Sequence, residues 1–107
     1  MSSEFVKVAR ISEIPEKRSK LICIEDVQIA LWHVGGRFYA VNNICPHQHI
    51  PALHMGTVDG IRLTCPMHGW TYCLDTGVAE TGNGRVKTYR VKLEGQDILV
   101  EKPVHDW

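Results

Sequence analysis

Two short segments, CPHQH at residues 45–49 and CPMH at residues 65–68, concentrate the side chains that bind metals. They give the pattern Cys45-x-His47, seventeen residues, Cys65-x-x-His68, so each segment brings one thiolate and one imidazole. Such a set suits a single tetrahedral zinc ion, or a cluster whose two irons are held unequally, one by the thiolate pair and the other by the imidazole pair. Zinc knuckles usually pair cysteine with cysteine and histidine with histidine. Here each segment is mixed, and that order favours the cluster. Pro46 and Pro66 fix φ directly after each cysteine, and Gly69 lets the backbone bend closely after His68.

Four ligands on two segments require two turns that face each other, and the sequence supplies hairpins. VQIALWHV (27–34) and RFYAVNNI (37–44) flank Gly35-Gly36, a strong short hairpin signal. A second hairpin is expected around Asp59-Gly60, between MGTV and IRLTC, and a third where WTYCLD returns through Asp75-Thr76-Gly77. YRVKL (89–93) places Tyr89, Val91 and Leu93 on one face and Arg90 and Lys92 on the other, then turns at Glu94-Gly95 into DILVEK. Helix evidence is confined to ISEIPEKRSK, where Ser12 is a candidate cap and Pro15 limits the helix to about one turn. The expectation is an all-β, antiparallel fold in one domain over residues 1–107, with no repeats or linkers.

Twelve basic and twelve acidic side chains cancel, so no global charge recommends nucleic acid or an anionic membrane as a partner. The N-terminus lacks the apolar core of a signal peptide, and no stretch approaches the roughly 20 apolar residues that span a bilayer. A cytoplasmic protein is expected. In a reducing compartment, paired cysteine and histidine point to metal rather than to disulfides. Cys23 and Cys73, each flanked by apolar residues, are expected as buried thiols. His54 is expected at the surface, and His33 and His105 as structural or exposed.

The ligand pattern, HGWTYCLDTG (68–77) and KTYRVKLEGQDILV (87–100) together resemble the Rieske-type 2Fe-2S proteins, and the likeness covers nearly the whole chain. That resemblance implies a small antiparallel β-sandwich or barrel with a 2Fe-2S cluster held by two hairpin-tip loops. Cys45 and Cys65 would bind one iron, and His47 and His68 the other. Gly69, Trp70 and Tyr72 would lie behind the ligands. In the respiratory branch of the family each loop has an extra cysteine and a serine follows the second histidine by two residues. This chain has Met67 and Trp70 at such places, while Tyr72 keeps the position of a tyrosine whose hydroxyl bonds a ligand sulfur. Fewer donors to sulfur imply a potential near the low end of the Rieske range, roughly −150 mV. Gln48, Ile50, Pro51, Leu53 and Met67 would rim an uncharged docking face around the two imidazoles.

The sequence departs from the family pattern in QHIPAL, where His49 stands at a glycine place, and in TGNGRV (81–86), which lacks the usual prolines. C-x-H matches and C-x-x-x-H does not, so His49 is read as a solvated loop residue. No G-x-G-x-x-G, P-loop or G-x-S-x-G is present, and the chain is too short to add the separate domain that oxygen-activating members need. The resemblance therefore implies an electron-transfer component rather than an enzyme, monomeric when free, that passes electrons from a flavin reductase to a terminal oxygenase. Two rivals are the small subunit of NADH-dependent assimilatory nitrite reductase, which shares fold and length, and a structural zinc-binding module.

Overall fold

The strand VQIALWHV has apolar residues on both of its faces, so it needs cover on two sides, and that requirement organises the protein. In the computed structural model, which describes residues 4–45, 50–66, 69–80 and 84–103, the strands are β1 (Phe5–Arg10), β2 (Arg18–Ile24), β3 (Val27–Val34), β4 (Arg37–Asn42), β5 (Ile44–Cys45), β6 (Ile50–Pro51), β7 (Thr57–Asp59), β8 (Arg62–Thr64), β9 (Thr71–Cys73), β10 (Thr88–Tyr89), β11 (Val91–Glu94) and β12 (Asp97–Glu101). A central sheet in the order β10-β4-β3-β2 carries β3 in its interior. On one side lies the sheet β1-β12-β11, and between them Ile29, Leu31, Ile22, Ile24, Ile98 and Val100 form a lower core. On the other side lies β7-β8-β9, where Ala30, Trp32, Val34, Leu63, Tyr72 and Leu74 form an upper core. Odd and even positions of β3 thus feed different cores, as strand geometry requires.

The hairpin at Gly35-Gly36 forms as expected, with Val34 opposite Arg37 and both glycines at positive φ (+62° and +78°). Asp59 pairs with Arg62 across the second turn. The third return is a single bridge, Tyr72 to Ala79, closed by the Cys73 amide donating to the Val78 carbonyl at 3.0 Å.

Three expectations are corrected. YRVKL does not run as one strand face: Tyr89 pairs with Ala40 in the central sheet, whereas Val91 to Glu94 pair with β12. The chain crosses between sheets at Arg90, which leaves Leu93 46% exposed. Ser12 caps nothing. It lies inside the one-turn helix Ile11–Glu13, whose start is held by the Arg10 amide donating to Glu13 Oε2 at 2.7 Å. Cys23 is exposed and Cys73 half-buried. On the edge strand β2 only alternate residues face the core, so Ile22 and Ile24 are buried while Leu21 and Cys23 point out.

Candidate metal centre

Two hairpins carry the two Cys/His segments of the sequence. In the first, β5 and β6 pair Ile44 with Pro51 and Cys45 with Ile50, so Cys45 is the last residue of β5. The base of this hairpin is tied down by main-chain and amide bonds. The Ile44 amide donates to Asn42 Oδ1 at 2.9 Å, and the Leu53 amide donates to the Asn43 carbonyl at 3.0 Å.

In the second, β8 and β9 pair Thr64 with Thr71, whose hydroxyls hydrogen-bond each other at 3.1 Å. The Cys65 amide donates to the Trp70 carbonyl at 2.7 Å, and the Gly69 amide donates back to the Cys65 carbonyl at 3.2 Å. Gly69 adopts φ +71°, and a Cβ there would meet nothing within 4 Å. That left-handed conformation favours glycine and lets the chain turn here.

Cys65 is 2% exposed and shares the upper core with Leu53, Leu63, Tyr72 and Leu74, with Trp70 packed against them. Tyr72 is 1% exposed. Leu53, expected at a docking rim, is fully buried in that same core; it belongs to the floor between the two hairpins and cannot contact a partner. Pro51 is exposed. His47, Gln48, His49, Met67, His68 and His105 lie outside the described residues.

Two features escaped the sequence reading. Asn43, two residues before Cys45, is fully buried, and His54 is half-buried against it instead of standing at the surface, its Nδ1 lying 3.0 Å from Asn43 Oδ1. A polar residue two positions before Cys45 was the available signal, but its partner lies eleven positions away in a stretch with no strand pattern. Cys73 is also no inert core thiol. A hydrogen bond from the Thr76 side chain holds its pKa below the ordinary thiol value, against the opposing effect of burial.

A match to the Rieske 2Fe-2S domain spans residues 4–90. The chain belongs to this family. It is 35% identical over 95 residues to the 3-phenylpropionate/cinnamic acid dioxygenase ferredoxin subunit of Shigella boydii, a match covering 87% of this chain and 89% of that one. Among solved structures, the ferredoxin of carbazole 1,9a-dioxygenase from Nocardioides aromaticivorans superposes with a TM-score of 0.86 at 24% identity, covering 94% of this chain and 100% of the other. A chain described as an NADH-dependent nitrite reductase small subunit from Mycobacterium tuberculosis gives 0.90 at 18% identity, covering 98% and 100%. At those identities the two structures attest the fold.

The Rieske domain carries a 2Fe-2S cluster, which sets aside a structural zinc, and the protein is an electron-transfer component of the ferredoxin type. The residues present fit that group. Cys45 ends β5 and Cys65 directly follows β8, each with a proline next in sequence. Cys65 is buried beside Leu53, Leu63, Tyr72 and Leu74, so a group held there would be shielded from water on the protein side. Among the described residues no helix is long and apolar enough to cross a membrane.

Proposed function

We propose that Cys45 and Cys65 hold one iron of the Rieske cluster and His47 and His68 the other, and that the protein carries single electrons from a flavin reductase to a terminal oxygenase. When bound, the cluster supplies one-electron exchange at a potential set largely by the hydrogen bonds and solvent around it. The chain does the rest. Cys65 is kept dry by Leu53 and Leu63, the Cys65–Trp70 and Gly69–Cys65 bonds fix the second tip, and the Tyr72 ring closes its floor. Fixed ligands limit the rearrangement that each electron transfer requires. The ring nitrogens of His47 and His68 that do not bind iron would face the partner, with Gln48, Ile50, Pro51 and Met67 around them. A small uncharged patch suits a transient complex, in which fast release matters.

The observation that carries this reading is the 35% identity, over most of both chains, to a dioxygenase ferredoxin subunit. The likeness to the nitrite reductase small subunit is a likeness of fold, and supports a fixed subunit less well. We take the protein to be one domain, cytoplasmic, and monomeric when free, with no nucleic-acid or membrane partner. The test is direct: purified holoprotein should contain about two irons and two sulfides per chain, give a reduced EPR signal that Cys45→Ser, His47→Ala, Cys65→Ser or His68→Ala abolishes, and support NADH-driven reduction of a Rieske oxygenase in the presence of a flavin reductase. Iron and sulfide retained in His68→Ala would refute the ligand set; a stable stoichiometric complex with a nitrite reductase large subunit on gel filtration would refute the carrier role.

A further inference from the structure

Asn43 stands out among the described residues as a polar side chain with no exposure at all. Such a group is costly to bury unless each of its polar atoms is paired. Here they are. The Asn43 amide donates to the Gln28 carbonyl at 2.9 Å and its own carbonyl accepts from the Leu53 amide at 3.0 Å. In the side chain, Nδ2 donates to Gln28 Oε1 at 3.1 Å, and Oδ1 accepts from the His54 amide at 2.7 Å. A main-chain N–H can only donate, so the atom facing it is the oxygen and the orientation of the side-chain amide is settled. The same oxygen lies 3.0 Å from His54 Nδ1, which must therefore carry a proton and donate. Ser19 in turn donates to the His54 carbonyl at 2.5 Å.

The bonds join β2 through Ser19, β3 through Gln28 and the one-turn helix Leu53–Met55 at a single point. That point lies at the neck of the first ligand hairpin, since β5 begins at Ile44 and β6 ends at Pro51. The chain enters the hairpin at Asn43 and leaves it toward Leu53, whose side chain packs in the same core as Cys65. A shift at Asn43 would therefore displace the first tip relative to the second.

We propose that Asn43, locked by His54 and Gln28, is a positioning residue for the metal centre: it clamps the neck of the first hairpin and so sets where that tip stands relative to Cys65. The proposal rests on the reading of Cys45 and His47 as ligands. Outer partners that orient metal ligands typically change metal retention by about 10- to 100-fold when removed.

The test compares holoprotein variants by the rate of iron release to a ferrous chelator after reduction, and by the EPR line shape of the reduced state. Asn43→Ala should release iron about tenfold faster than wild type, with shifted g values. His54→Ala, which leaves the main-chain bonds of Asn43 in place, should move both readouts in the same direction. His54→Asn, whose side-chain nitrogen can occupy the place of Nδ1, should restore them. Ile98→Val, in the lower core, serves as a control: it should lower the melting temperature without altering release or line shape. If Asn43→Ala gives no folded protein, the contrast between His54→Ala and His54→Asn decides. Equal release rates and line shapes in wild type, His54→Ala and His54→Asn, or release that simply tracks melting temperature across all variants including Ile98→Val, would overturn the clamp. A wild-type protein without iron and sulfide would instead overturn the ligand reading beneath it.

Discussion

Gly56→Ala isolates the coupling between the chain leaving the first hairpin and the strand leading into the second. Gly56 follows the one-turn helix and has φ −72°, an angle open to any residue, so alanine there is free of backbone strain. The obstacle is contact. A Cβ would lie 2.4 Å from the Thr64 carbonyl oxygen and 2.9 Å from Leu63 Cδ1. The leucine methyl can rotate away, but the carbonyl belongs to β8, where Thr64 pairs with both Thr57 and Thr71. Ordinary carbon to oxygen contacts begin near about 3.3 Å, so β8 would have to retreat by about 0.9 Å. Overpacking of this kind costs typically 1–3 kcal/mol, and a rigid backbone obstacle places it near the top, about 3 kcal/mol. For a domain of this size that lowers the melting temperature by about 12–15 °C. Gly60→Ala is the matched control. Its φ of +61° penalises alanine by about 1–2 kcal/mol, and its Cβ would meet nothing within 4 Å. Urea unfolding of both variants should therefore rank Gly56→Ala as the more damaged by about 1–2 kcal/mol. Because Cys65 follows Thr64 directly, the holoprotein of Gly56→Ala should also lose iron sooner. Equal stability of the two variants would refute the close-approach argument.

Other outcomes follow from single residues. Leu53→Ala removes a fully buried side chain and should cost about 2–5 kcal/mol in chemical denaturation; a normal stability with a raised KM for the oxygenase would mean that Leu53 faces a partner after all. Tyr72→Phe should lower the reduction potential measured by protein-film voltammetry by about 40 mV, the equivalent of one hydrogen bond of about 1 kcal/mol, and an unchanged potential would show that the hydroxyl is not directed at sulfur. The Glu16 carboxylate accepts hydrogen bonds from the amides of Gly35 and Gly36, chiefly Gly35, which lowers its pKa. A lowered folded pKa gives stability that is present above the ordinary carboxylate range and is lost as the pH falls through the folded value. Glu16→Gln should therefore melt below wild type at pH 7 and match it in acid. Thr76→Val removes the donor that favours the Cys73 thiolate, so alkylation of Cys73 near neutral pH, followed by mass spectrometry, should slow relative to Cys23.

The legible parts of the sequence were those governed by local rules. Gly35-Gly36 and Asp59-Gly60 announced their hairpins because the residues that turn the chain are adjacent, and the mixed Cys-His pattern pointed to the cofactor that the Rieske match supports. What stayed hidden depends on partners distant in sequence. LICI (21–24) reads as uniformly apolar, and only the edge position of β2 decides that Cys23 faces outward. Leu53 reads as one more apolar loop residue until the upper core claims it. YRVKL keeps a strand's alternation, yet the crossing at Arg90 hands its two halves to different sheets. His54 and Asn43 find each other through a turn that no periodicity foretells.

The central sheet, covered on both faces, has one more implication. Among the described residues, its lower core is built from Ile22, Ile29, Leu31, Ile98 and Val100, whereas the upper core includes the proposed ligand Cys65. This separation leads to the expectation that the lower half stays ordered without iron, which far-UV circular dichroism of the iron-free chain checks. On that expectation, a cluster-donating protein would meet a pedestal already assembled, with the crown left to form.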